Sequence, residues 1–245
     1  GLSNSLNSLD AGCFINGVNL NHLFYADDSV LLAPSAEALQ LLLNVCDNYA
    51  KLSEITYNPK KTVCMLIRPK WLKDLQPPKL HLNGKCLDFV DNHCYLGVIV
   101  DEGLSDNLDM KNQMRSIYAR GNALIRQFRH CTDNVKVKLF KSYCSSLYAS
   151  SLWHRFTVSI YKKVKGAYSN VFRHLMRISD RTMETSHFMV QYKIDTFDVI
   201  LRKLIFSLRS RLFASDNVLV KSVISCQFFS SSPIFKHWEK ILGIL

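Results

Sequence analysis

The order of nonpolar and polar residues divides the chain into a front part built from short nonpolar runs and a rear part with helical periodicity. The first run, Cys13–Ile15, is followed by the turn signal Asn16–Gly17. A second run, Leu23–Tyr25, ends at Asp27–Asp28, and a third run covers Ser29–Ala33. The simplest interpretation is a set of consecutive antiparallel strands in which the first run pairs with the second and the two aspartates occupy the second turn.

A helix is predicted directly after these strands. Ser35 follows Pro34 as a candidate N-cap, and Glu37 places a negative charge in the first turn, where it suits the helix dipole. One nonpolar stripe continues from there at spacings of three and four: Leu39, Leu42, Leu43, Cys46 and Tyr49. The pattern therefore predicts strand, strand and helix in that order.

Three later runs predict further strands: Val63–Ile67, Leu80–Leu82 and Tyr95–Val100, with a turn at Asn83–Gly84. The first hundred residues are thus expected to have an α+β fold.

From Ser105 onward the periodicity is helical. Four stripes keep this spacing: Met114 to Phe128; Phe140, Tyr143, Cys144 and Leu147; Ile160 to Leu175; and Ile200 to Leu212. A loop at 228–233 precedes a short terminal helix. We expect two domains, residues 1–104 with mixed structure and residues 105–245 with helices alone.

Charge is distributed unevenly between these two parts. The chain carries 31 Lys and Arg against 20 Asp and Glu, a net charge of +11. Residues 1–104 hold 8 basic and 11 acidic residues, whereas residues 105–245 hold 23 and 9. A polyanionic partner is therefore expected for the rear part.

Several classes of protein fit the sequence poorly. The eight cysteines show no zinc-ligand spacing and are expected to be reduced and mostly buried. No signal peptide is recognisable, and no nonpolar run reaches the roughly 18 residues of a membrane span. We expect a soluble intracellular protein without membrane contact. Because the chain opens at Gly1 in mid-pattern, it is expected to be a fragment.

Asp27 and Asp28 are the strongest candidates for chemistry. Adjacent carboxylates repel each other, and a divalent cation relieves the repulsion. Hard oxygen ligands suit Mg²⁺, which also binds substrate phosphates and supports nucleotidyl transfer. The alternative is that both aspartates serve the turn alone.

Three motifs in order carry a resemblance to a known family. Tyr25-Ala26-Asp27-Asp28 comes first, Asn58-Pro59-Lys60-Lys61-Thr62 second and Tyr95-Leu96-Gly97 third. Together they resemble the reverse transcriptases of non-LTR retrotransposons (LINE elements). The resemblance implies a partial palm, an antiparallel sheet plus a helix, followed by an all-α thumb-like domain.

The resemblance also implies roles at the active site. Asp27 would bind Mg²⁺, Asp28 would supply the second carboxylate and Tyr25 would lie near the primer terminus. Lys61 would protonate the departing pyrophosphate or neutralise its charge, with Lys60 as the alternative. Without the resemblance, these lysines are an ordinary solvated edge of a strand.

Two further parts are assigned to nucleic acid. Tyr95, Leu96 and Gly97 would brace the primer, or else form an ordinary buried strand that ends in a bend. Four cations share one sector of the helix that begins near Ser105, and they would lie along a duplex backbone: Lys111, Arg115, Arg126 and Arg129. The alternative for this helix is a solvated face.

The resemblance thus implies part of a magnesium-dependent RNA-directed DNA polymerase, which would use an RNA template, a DNA primer and, in the complete enzyme, dNTPs, in the cytoplasm and nucleus. The family's earlier metal-binding aspartate has no match here, since Asp10 lies too close to the hairpin. The active site is therefore expected to be incomplete and the isolated chain inactive. Two alternatives remain: a nucleic-acid-binding retrotransposon relic without catalysis, and a relic that does not fold alone. Oligomeric state is not fixed by the sequence.

Overall fold

The structure is a computed structural model that describes residues 1–58, 60–68, 76–180 and 182–244. Helix accounts for 51% of these described residues and strand for 13%, so the expected α+β class is confirmed. The described strands are β1 (Cys13–Ile15), β2 (Val18–Leu20), β3 (His22–Tyr25), β4 (Asp28–Leu31), β5 (Val63–Cys64), β6 (His81–Leu82), β7 (Lys85–Cys86), β8 (Asp88–Phe89), β9 (Asn92–Tyr95) and β10 (Val98–Asp101). The described helices are α1 (Leu2–Asn7), α2 (Ala36–Leu52), α3 (Asn107–Gln127), α4 (Asp133–Cys144), α5 (Val158–Met176), α6 (Thr185–Gln191), α7 (Phe197–Phe213), α8 (Val218–Ile224) and α9 (Pro233–Leu242).

The first two hairpins differ from the expected strand pairing. β1 pairs with β2, with Ile15 opposite Val18, and β3 pairs with β4. The predicted pairing of Cys13–Ile15 with Leu23–Tyr25 is therefore wrong. The physical reason lies in the turn: Asn16 and Gly17 both have positive φ, 48° and 76°, which suits a two-residue loop that joins immediate neighbours.

Helix α2 confirms the predicted start and buried stripe. The Ser35 side chain accepts a hydrogen bond from the Ala38 amide at 3.2 Å, which caps the first turn. Leu42, Leu43 and Cys46 are buried in one cluster that also includes Leu6, Leu80, Leu82 and Leu87. This cluster is the core on which the front part of the chain is built.

Two of the predicted strands are shorter or interrupted. Val63–Ile67 is a strand only at Val63–Cys64, which pairs in parallel with β8. Tyr95–Val100 is split between β9 and β10 because Leu96 and Gly97 form the turn of a hairpin. The hairpin turn at Asn83–Gly84 is where it was predicted.

The helices α3 and α5 run parallel and pack along their full length. At their N-terminal ends, the Thr157 amide donates to the Asn107 side-chain oxygen at 2.9 Å. In the middle, Gly121 lies so close to Val171 that an added Cβ would meet its Cγ1 at 2.3 Å. At their C-terminal ends, the Arg177 guanidinium donates to the Arg129 carbonyl at 2.7 Å.

Helix α4 covers one side of this helix pair. The Phe140 ring lies 5.0 Å from the Tyr168 ring and 5.2 Å from the Phe172 ring, measured between centroids. The predicted stripe on α5 is fully inside: Ile160, Val164, Ala167, Tyr168, Val171, Phe172 and Leu175 are all buried. Within the described parts of residues 105–245, all regular structure is helical, as expected.

The chain forms two compact units whose limits differ from the expected division at residue 104. The first unit contains Gly1–Asp91 and Phe213–Ser230, and the second contains Asn92–Leu212 and Ser231–Leu245. The β9–β10 hairpin belongs with the helices because the Ile99 amide donates to the Asp109 side chain at 3.1 Å. In the part of the chain that the structure describes, no helix is both long and nonpolar enough to cross a bilayer.

Candidate active site and nucleic-acid interface

The Tyr25-Ala26-Asp27-Asp28 segment forms the tip of the β3–β4 hairpin. Tyr25 lies opposite Asp28, so Ala26 and Asp27 are the two residues of the turn. Ala26 has φ 51°, a left-handed conformation that costs a residue with a Cβ about 1–2 kcal/mol. Both aspartates are exposed, and Tyr25 is 65% exposed. The hairpin thus presents two carboxylates and a phenol to solvent.

The base of this hairpin is held by Asn21, which the sequence analysis missed. Asn21 is fully buried, and its amide nitrogen donates to the Leu6 carbonyl at 2.8 Å and the Ala11 carbonyl at 3.0 Å. Its main-chain carbonyl accepts from the Leu32 amide at 2.8 Å, just beyond β4. These bonds tie both ends of the hairpin to α1 and the loop that follows it.

His22 continues the same network on β3. Its Nδ1 lies 2.6 Å from the Asn21 side-chain oxygen, and its Nε2 lies 2.7 Å from the Ser3 hydroxyl. The ring also lies 4.6 Å from the Phe24 ring. Burial lowers the pKa of His22, so the neutral ring is favoured near pH 7. His22 therefore orients the strand that leads to the carboxylates.

The donor set at the hairpin tip fits an open magnesium site. No hydrogen bond or ion pair engages the carboxylates of Asp27 and Asp28 within the described ranges. Among these same described residues, no group of three or more His, Cys, Asp or Glu is placed to hold a metal. Proteins nevertheless commonly bind Mg²⁺ through only one or two carboxylate side chains, and water and substrate phosphates supply the other ligands.

The Asn58 to Thr62 motif has a structural reason for its spacing. The Asn58 side chain accepts from the Lys60 amide at 3.0 Å, and its carbonyl accepts from the Lys61 amide at 3.1 Å and the Thr62 hydroxyl at 2.9 Å. Such a turn delivers the chain into β5 with Lys61 exposed. Pro59 lies outside the described residues.

The Tyr95-Leu96-Gly97 segment is a strained hairpin turn rather than a strand that ends in a bend. Leu96 has φ 47° and Gly97 has φ 79°. A bulky residue such as leucine is rarely found in the left-handed region, because its Cβ makes that backbone conformation strained, and such strain is often found at functional sites. The Tyr148 ring packs against Gly97, where an added Cβ would lie 3.3 Å from its Cε1. Both the backbone and this contact therefore favour glycine.

A buried carboxylate, Asp109, fixes this turn to the helices and was also missed from sequence. Asp109 is 1% exposed and accepts from the Ile99 amide at 3.1 Å and from the Trp153 indole nitrogen at 2.8 Å. Its neighbour Asp106 accepts from the Arg155 amide at 2.6 Å. One turn of α3 thus joins the β9–β10 hairpin to the segment that precedes α5.

Three of the four predicted cations, Lys111, Arg115 and Arg126, lie on the exposed side of α3, whereas Arg129 lies in the turn that follows the helix, so its predicted place on the helix is wrong. All four are exposed, and no acidic side chain pairs with them in the described residues: Lys111, Arg115, Arg126 and Arg129. The opposite side of α3 is buried at Ile117, Gly121 and Leu124. The helix therefore presents uncompensated positive charge to solvent over most of its length.

The predicted residues fall into two groups. The first group, Tyr25, Asp27 and Asp28, shares one hairpin. Lys61 belongs to the same compact unit, but within the described residues no hydrogen bond or ion pair joins Lys61 to that hairpin. The Tyr95–Gly97 turn and the α3 cations share the second unit.

The cysteines are all free thiols, but the expectation that most are buried is wrong. Cys46, Cys64 and Cys144 are buried, whereas Cys86 and Cys94 are exposed on short strands. Burial raises the pKa of Cys64 and of Cys144 to about 11, so these two thiols stay protonated.

No protein-family model matches this sequence, and a search of curated proteins finds no match either. The functional assignment therefore depends on the motifs and on the geometry of the hairpin, the turn and the helix.

Proposed function

We propose that this chain comprises part of the palm and the thumb of an RNA-directed DNA polymerase similar to those of LINE elements. One observation carries the proposal: two adjacent, unpaired carboxylates stand at the exposed tip of a tight hairpin whose base is fixed by buried hydrogen bonds. A carboxylate pair in that position is suited to a hard cation and to phosphate oxygens brought by a substrate.

In this proposal Asp27 and Asp28 hold Mg²⁺, which when bound neutralises charge on the phosphate oxygens of a primer end and a dNTP. Tyr25, opposite Asp28 on β3, offers its exposed ring and hydroxyl to the primer terminus. Lys61 donates a proton to the departing pyrophosphate or balances its charge, since an exposed ammonium at a turn is a ready donor.

The second unit binds the primer and template in the same proposal. The strained Leu96–Gly97 turn, held by Asp109 and Tyr148, braces the primer, and the α3 cations contact phosphates without reading sequence. The resemblance implies a further metal-binding aspartate on an earlier palm strand, and no residue of this sequence matches it. We therefore expect no primer extension by this chain alone, and extension that Asp27→Ala abolishes would refute that expectation.

The direct test is magnesium-dependent binding of a primer end. An RNA–DNA hybrid with a recessed DNA 3′ end is titrated with the chain, with and without Mg²⁺, and compared with Asp27→Asn. Mg²⁺ should strengthen binding of the wild type and leave Asp27→Asn unaffected. Asp10→Asn is the matched control, because it makes the same change in charge at an exposed position of the same unit.

A second candidate, a nucleic-acid-binding relic without catalysis, is favoured by the exposed cations of α3, which need no metal to bind phosphate. Binding that depends on salt but is indifferent to Mg²⁺ and to Asp27→Asn would select this candidate over the polymerase. A cooperative unfolding transition would exclude a chain that does not fold alone.

A further inference from the structure

Helix α5 extends the cationic surface of α3 into a face that two helices share. The two helices run parallel, because contacts join their starts, middles and ends: Thr157 to Asn107, Val171 to Gly121 and Arg177 to Arg129. Both helices are viewed along their axes from the same end. A residue displaced clockwise from the contact line on one helix then lies on the same side of the pair as a residue displaced counterclockwise on the other. Helical geometry therefore decides which exposed residues of α5 lie beside the α3 cations.

The α3 cations lie on one side of the contact with α5. Around α3, Lys111, Arg115 and Arg126 fall within about 60° of one another, centred roughly 110° from Gly121 in the clockwise sense, and Arg129 follows in the turn after the helix. On α5, Lys163 lies about 80° from Val171 in the counterclockwise sense, and His174 lies about 60° in that sense. Both are exposed, so they stand on the same side of the helix pair as the α3 cations.

The other side of the pair is covered by α4. Tyr168 and Phe172, which contact Phe140 of α4, lie clockwise from Val171 around α5. Burial of Ile117 and Leu124, which lie counterclockwise from Gly121, places that side of α3 inside as well. The side that carries the cations is left open to solvent.

We propose that this open side, the α3–α5 face, is a docking surface for the backbone of a nucleic-acid duplex, with α5 contributing a second row of phosphate contacts. The α3–α5 face consists of Lys111, Arg115 and Arg126 of α3, Arg129 in the turn that follows it, and Lys163 and Arg177 at α5. This inference rests on the proposed function, because it names further residues of the same nucleic-acid surface.

Charge complementarity selects the occupant. Helix α5 contains no Asp or Glu, and both acidic side chains at the start of α3, Asp106 and Asp109, are engaged in hydrogen bonds. The face is therefore cationic without internal neutralisation. Arg177 lies where both helices end. Its guanidinium donates one N–H to the Arg129 carbonyl, and its other N–H groups can donate to phosphate oxygens.

The scarcity of exposed nonpolar side chains argues against other polyanions. Among the described residues of α3 and α5, Tyr118 is the one exposed Phe, Tyr or Trp, at 37%. Single-strand binding uses several aromatic rings for stacking, and membrane binding uses a nonpolar stripe. A face without either suits a duplex backbone. The 21 residues of α3 span about 31 Å, the length of about nine base pairs.

The neighbouring lysines Lys162 and Lys163 give the test a matched pair. Both are exposed and free of ion pairs in the described residues, yet Lys162 lies about 180° from Val171, on the side of α5 that points away from α3. Lys163→Ala and Lys162→Ala therefore remove the same charge from the same helix. Only the first change removes it from the α3–α5 face.

Binding of a blunt duplex of about 12 base pairs is measured against salt concentration. Wild-type affinity should fall steeply with salt, and Lys163→Ala should reduce the slope by about 1 and weaken binding several-fold, as Arg126→Ala does. Lys162→Ala should match the wild type. If Arg126→Ala weakens binding while Lys163→Ala behaves like Lys162→Ala, the inference is overturned and the α3 interface of the proposed function stands. Absence of salt-dependent duplex binding, or equal binding to anionic vesicles, would overturn both.

Discussion

The close contact between Gly121 and Val171 predicts opposite effects for the same substitution at two helical glycines. In Gly121→Ala, the new Cβ would lie 2.3 Å from Val171 Cγ1 and 2.8 Å from its Cγ2. Val171 is buried and β-branched, so its χ1 rotamers are restricted and its methyl groups have little freedom to move aside. In Gly166→Ala, on α5, the Cβ would meet nothing within 4 Å.

The magnitudes follow from packing and helix propensity. Overpacking of a core costs about 1–3 kcal/mol, and a contact this short belongs near the upper limit. Alanine gains about 1 kcal/mol over glycine in a helix interior. We expect Gly121→Ala to lower the free energy of unfolding by about 2 kcal/mol and Gly166→Ala to raise it by about 1 kcal/mol.

Chemical denaturation followed by tryptophan fluorescence measures both effects. Trp153 and Trp238 are buried in the second unit, so a Trp71→Phe background leaves reporters only there. Val171→Ala removes both Cγ atoms, and in that background Gly121→Ala should become neutral or stabilising. If the effects of Gly121→Ala and Val171→Ala simply add, or if Gly121→Ala stabilises the wild type, the parallel contact of α3 with α5 is refuted.

Three further substitutions test other parts of the structure. Leu96→Asn should raise the free energy of unfolding by about 1 kcal/mol, because asparagine tolerates φ 47° at lower cost; a loss of stability in denaturant would contradict the strained turn. Asn21→Leu should cost about 2–4 kcal/mol, since the buried carbonyls of Leu6 and Ala11 lose their donor, and a thermal melt close to wild type would contradict the anchor. Burial, helped by His154 and Lys240, lowers the pKa of His237 below its usual value of about 6.5, so the folded state binds fewer protons. Stability should therefore be complete above pH 6.5 and decline as the pH falls below it, and His237→Phe should flatten that decline when unfolding is measured from pH 7.5 to pH 5.

Helices were the part of the fold that local sequence could predict. The nonpolar stripe from Ile160 to Leu175 correctly predicted which side of α5 is buried, and Ser35 correctly predicted the start of α2. Both signals lie within a few residues of the structure that they specify. The short helices α1, α6 and α8 were not predicted. Each has seven residues or fewer, too short for a repeating stripe to be recognised.

Strand pairing was harder because it depends on turn conformation and on distant partners. Asn16–Gly17 marked a turn correctly, but the sequence did not say that its loop has only two residues and so joins β1 to β2. The parallel pairing of Val63–Cys64 with β8 joins segments that no local pattern connects.

Buried polar residues left the weakest signal. Asp109 sits in the first turn of α3, where an acidic residue is expected for its interaction with the helix dipole, so nothing in the sequence marks it as buried. Asn21 lies between two short strands, where a polar residue is ordinarily exposed. At the candidate site, the motif did place Asp27 and Asp28 at a hairpin turn, while the anchor beneath them was visible only in the structure.

The most direct measurement of the central claim maps a bound cation onto the hairpin tip. Mn²⁺ can stand in for Mg²⁺, and its unpaired electrons broaden nearby amide signals in an NMR spectrum of the chain mixed with the recessed RNA–DNA hybrid. Sub-stoichiometric Mn²⁺ should broaden the amides of residues 25–29 first, and the double variant Asp27→Asn with Asp28→Asn should lose this effect while Asp10→Asn keeps it. Broadening that begins elsewhere in the chain, or that persists in the double variant, would contradict a cation held by these two carboxylates.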